Sequence, residues 1–106
     1  MKIVENDQYT LISVEKSSFN ELNSIVHDVN SNHILIELHE DILDVKNKIT
    51  FFLKTALDLK AKNKSFVIIK KGINFDDFPE ILNIAPTLQE AKDILEMEEI
   101  ERDLGL

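Results

Sequence analysis

The chain has 106 residues, 43% of them hydrophobic and 30% charged, with two glycines, two prolines, no cysteine and a net charge of −8. That length makes one domain, residues 1–106, around a single core. A longest apolar run of only four residues excludes a transmembrane helix, and the absence of cysteine excludes disulfides and thiol chemistry.

The charge is uneven. Residues 46–71 hold eight lysines against Asp58, whereas the stretches on either side are acidic. An acidic protein is not expected to hold a nucleic-acid backbone through bulk electrostatics. The ordinary reading of the lysines is the solvated face of an amphipathic helix. Residues 1–7 contain no signal-peptide core. With no cysteine besides, the expectation is a cytoplasmic protein.

Residues 9–14, rich in β-branched and aromatic side chains, predict a strand, and residues 2–5 pair with it as a hairpin across Asn6 and Asp7. Ser18 and Glu21 form a capping box ahead of a first helix over about 19–29, with Leu22, Ile25, Val26 and Val29 on its apolar face. Residues 33–71 then read as strand, helix, strand. Residues 34–38 (Ile-Leu-Ile-Glu-Leu) and 66–69 (Phe-Val-Ile-Ile) are the strands. Val45, Ile49, Phe52, Ala56 and Leu59 recur at steps of four and three, one helical stripe. Asp44 is the expected N-cap of that helix, with Asp41 as an earlier start. Its end falls near residues 62–64, where lysines complement the dipole. Two strands joined by such a helix lie parallel.

Gly72 breaks the fourth strand, and residues 74–80 form a loop or short turn that returns Phe75 and Phe78 to the core. Residues 81–84 are a short edge strand. Thr87 and Glu90 make a second capping box, opening a helix with Leu88, Ala91, Ile94 and Leu95 inward that continues toward Gly105. Met97 and Ile100 on its acidic second half either cover the sheet or dock on a basic surface. The order predicts an α/β sandwich: a mixed sheet of four to five strands with the helices mainly on one face.

Chemistry is largely excluded. His27, His33 and His39 fall in different elements, and no His-x-His or His-Glu-x-x-His pair is present. His39-Glu40-Asp41 is the densest group of ligand types, and reads as a polar loop with a helix cap. No serine stands in a nucleophile elbow, and two glycines cannot make a phosphate-binding loop. Adjacent acids such as Asp76 and Asp77 read as solvated surface. The sequence therefore predicts a protein that is not an enzyme and takes no metal or cofactor.

Residues 34–38, 64–69 and 86–91 (Pro-Thr-Leu-Gln-Glu-Ala), in this element order, resemble the central strand, the strand after the second helix and the lead-in to the closing helix of the STAS domain, the fold of bacterial anti-sigma factor antagonists. The resemblance implies a regulatory module that binds a protein partner. Regulated members carry Asp-Ser-Ser-Gly at the start of the second helix, with one serine phosphorylated by a partner kinase. Here Asp44 matches the aspartate, but Val45 and Lys46 stand where the serines would be. The switch is therefore absent or moved, and Thr50 is the nearest candidate. The resemblance makes the loop from His39 to Lys48 the docking surface, with Asp41, Asp44, Lys46 and Lys48 as its contacts. The closing segment is also similar to small proteins that carry a ribonuclease Z label. That enzyme's His-x-His-x-Asp-His motif does not occur here. The alternative it leaves is an accessory subunit of a tRNA-processing nuclease.

Overall fold

The computed structural model describes residues 2–15, 21–28, 32–39, 48–72 and 78–105. Five strands form one sheet in sequence order: β1 (Lys2–Glu5), β2 (Tyr9–Val14), β3 (His33–Leu38), β4 (Phe66–Ile69) and β5 (Asn83–Ala85). The helices are α1 (Leu22–Asp28), α2 (Ile49–Ala61) and α3 (Leu88–Asp103). The sheet is mixed. β1 and β2 are an antiparallel hairpin, and every later pair is parallel. Asn6 shapes the hairpin turn, its Oδ1 accepting the backbone N–H groups of Gln8 and Tyr9 at 2.8 and 2.9 Å.

Alternation along the strands divides the core in two. Ile12, Val14, Ile34, Ile36, Leu38, Phe66 and Ile68 face α1 and α2, whose Leu22, Val26, Phe52 and Leu59 complete that cluster. Tyr9, Leu35, Val67, Ile69 and Ala85 face the other way, against Ala91 and Leu95 of α3. β4 is buried at all four positions, as its unbroken apolar run predicts. Two helices therefore share one face, and α3 lies on the opposite one. The β2–α1–β3 and β3–α2–β4 crossovers share a hand in a sheet built in sequence order, which keeps α1 and α2 together. Among the described residues α3 joins no parallel pair of strands, so that rule does not constrain it.

α1 is described over Leu22–Asp28; the Ser18 box and Val29 of the expected 19–29 helix lie outside the described residues. Two boundaries differ from the pattern reading. α2 begins at Ile49 with Lys48 as N-cap and no capping side-chain bond, rather than at an Asp44 or Asp41 cap. Lys48 stands at the positive end of the dipole, so this start has no support from charge. The last strand, β5, is Asn83–Ala85 rather than residues 81–84, leaving Ile81 41% exposed. Phe78 reaches the core as expected; Phe75 lies outside the described residues.

The helix ends follow local chemistry. Asn63 takes φ +61° after α2, while Lys64 N–H donates to the Leu59 carbonyl and Asn63 N–H to that of Lys60. That is the paired Schellman arrangement, with asparagine in the left-handed position. Thr87 caps α3, its side chain accepting the Glu90 N–H at 3.2 Å, and Gly105 at φ +76° ends it.

Candidate partner-binding edge

In an open α/β sheet, sites gather where the parallel strands end. Here that carboxyl edge holds a cleft of about 570 Å3, lined by Glu37 and His39 after β3, Lys70 and Lys71 after β4, and Thr87 at the head of α3. β4 ends in a fixed way, because Lys70 N–H donates to the Ala85 carbonyl at 2.9 Å. Glu37 is held from two sides. Ser13 Oγ donates to its Oε1 at 3.2 Å, and His39 Nε2 lies 3.2 Å from the same oxygen. The remaining charge on this rim, Lys70 and Lys71, is positive.

α2 starts from the same edge, since it leaves the carboxyl end of β3 and returns to the amino end of β4. Of the residues assigned to docking from the sequence, Lys48 is the N-cap of α2, and Asp41, Asp44 and Lys46 lie outside the described residues. Thr50 is exposed in the first turn of α2. Lys70, Lys71 and Thr87 join the edge only through the fold. The sequence signal for them was the strand end at Gly72 and the capping box, each of which read as structural.

The opposite, amino edge carries the tightest polar network. His33 is 7% exposed. Its Nδ1 accepts the backbone N–H of Ser65 at 2.8 Å, and its Nε2 stands 2.8 Å from Glu99 Oε1. Arg102 Nη2 donates to Ser65 Oγ at 3.1 Å, and Asn83 Nδ2 donates to Glu98 Oε2 at 2.9 Å. Burial lowers the pKa of His33, the Arg102 and Lys64 charges lower it further, and Glu99 opposes them. With Nδ1 an acceptor, the neutral ring carries its proton on Nε2.

Serine, histidine and glutamate thus meet, but the wiring is not that of a nucleophile. The imidazole engages the serine backbone rather than its hydroxyl, and both ring nitrogens are occupied. The sequence placed Ser65 beside no histidine; the contact spans 32 residues and leaves no local trace.

His33 and His39 stand at opposite ends of β3, about 20 Å apart for six strand steps, too far to share an ion. Among the described residues no group of three or more histidine or acidic side chains is gathered for a metal. Among them, too, no helix is long and apolar enough to cross a membrane. No protein-family model matches the chain, and no curated protein matches it.

Proposed function

We propose that the chain is a non-catalytic, STAS-like interaction module of the cytoplasm, which regulates a protein partner through its carboxyl edge. The docking surface runs from His39 through the 40–47 segment to Lys48 and the first turn of α2. The observation that carries this reading is the cleft bordered by His39, where His39, Lys70 and Lys71 converge at the ends of parallel strands. It is open and sets Lys70 and Lys71 against a single acid, Glu37, which suits an acidic segment of a partner.

The usual phosphorylatable serine is missing from this surface. Thr50 takes its place as the switch candidate: it is exposed in the first turn of α2, where a phosphate would meet the positive end of the dipole. Charge reversal at Lys46 and Lys48 tests the surface through its effect on partner capture.

One feature favours the second reading, an accessory subunit of a tRNA-processing nuclease. Lys54 and Lys60 on α2 and Lys62 at its C-cap are exposed, and exposed lysines are suited to phosphate contacts. Binding of labelled precursor tRNA by the purified protein at physiological salt separates the cases. The module reading predicts no saturable binding, and salt-dependent saturable binding would favour the accessory subunit.

A further inference from the structure

α3 reverses its amphipathicity halfway along. Its first half turns Ala91 and Leu95 onto the sheet. Its second half turns Glu98, Glu99 and Arg102 onto the amino edge, where they bond Asn83, His33 and Ser65. The apolar side chains of that half face solvent instead: Met97 is 62% exposed, Ile100 59% and Leu104 68%. Their spacing of three and four residues makes one continuous stripe. Exposed Glu96 and Glu101 flank it. Isolated exposed apolar residues are ordinary, but an aligned stripe on a helix is a surface built to be covered.

The complementary surface is on the same molecule. On the outer side of α2, Leu57 is 52% exposed, between exposed Lys54 and Lys60, which outnumber the one exposed acid beside them, Asp58. We infer that the Met97–Ile100–Leu104 stripe of one copy docks on the Leu57 face of α2 in a second copy. Apolar side chains meet at the centre, and the glutamates of α3 pair with the lysines of α2 around them. An α3-to-α3 pairing would instead set two acidic faces together. α2 and α3 lie on opposite faces of the sheet, so the contact is head-to-tail and leaves one face of each copy open to the next. The net charge of −8 opposes association over long range. Salt confines that repulsion to about 8 Å, while the contacts act at shorter distances.

Sedimentation equilibrium of the purified full chain, Leu57→Glu, Ile100→Glu and their equimolar mixture tests the contact. Both substitutions replace solvent-exposed side chains, and far-UV circular dichroism verifies that each variant is folded. The wild type is expected to gain mass with concentration and each variant alone to stay monomeric. The mixture should form a one-to-one dimer, because the intact α3 of one variant meets the intact α2 of the other. A wild type that stays monomeric up to about 1 mM, the weak end of measurable affinity, would overturn the inference. So would a variant that associates like the wild type, or a mixture that remains monomeric.

Discussion

The Ser65 backbone N–H points at Nδ1 of His33, 2.8 Å away and buried. A protonated ring would set two donors against each other at that contact, so β3 and the entry to β4 are joined through a histidine that must stay neutral. Glu99 holds the other nitrogen, which extends the join to α3.

This relationship sets a pH dependence. His33 has its pKa below the ordinary 6.5, so near and below that pH the unfolded chain binds more protons at this site than the folded one. The contribution is fully present above about pH 6.5 and is lost as the pH falls toward the folded value, with a slope of at most about 1.4 kcal/mol per unit for one proton. Urea unfolding between pH 7.5 and 5.5 should show the midpoint falling with pH, and His33→Gln should flatten that dependence. A wild-type midpoint that holds level or rises on acidification would show that this contact does not govern the titration.

Phe52 is fully buried under the sheet, its ring 6.3 Å from that of Phe66 and 5.5 Å from that of Phe51. Phe52→Ala should lower unfolding stability by about 3–5 kcal/mol, through lost burial and the cavity left behind. Leu57→Ala on the opposite side of the same helix should change it by no more than about 0.5 kcal/mol. Denaturant titrations of both variants measure the contrast, and equal losses would mean that the inward face of α2 is misplaced.

Thr87→Ala should cost about 1 kcal/mol, because the Glu90 N–H loses its side-chain acceptor. Thr87→Ser retains the oxygen and should lie close to wild type. Thermal melts of the three proteins check the order. A serine variant as unstable as the alanine one would place the effect in packing at the cleft instead of capping.

The parts legible in the sequence were those with local causes. Short apolar and β-branched runs found the five strands, helical spacing the three helices, and the Thr87 box marked the start of α3 to the residue. The start of α2 was less legible, because an aspartate ahead of an apolar stripe looks like a cap whether or not the helix starts there. The outward turn of Met97 and Ile100 was an open alternative. Helical spacing does not tell where the sheet ends, and past its amino edge the groups awaiting α3 are polar. The His33–Ser65–Glu99 network brings together three elements far apart in the chain, and no periodicity encodes it. Of the predicted docking residues, only Lys48 falls within the described residues, as does Thr50, the switch candidate. The cleft at the carboxyl edge became visible when the ends of β3 and β4 were set side by side.

The most direct measurement of the proposed function is quantitative capture from native cytoplasm, with bound proteins identified by mass spectrometry. Tagged wild type is run beside a Lys46→Glu/Lys48→Glu variant of unchanged circular dichroism. The account predicts a specific protein partner on the wild type and a loss of about tenfold or more in its recovery on the variant, equivalent to about 1.4 kcal/mol. Equal recovery on both would contradict the assigned docking edge, and no protein above background on the wild type would contradict an interaction module altogether.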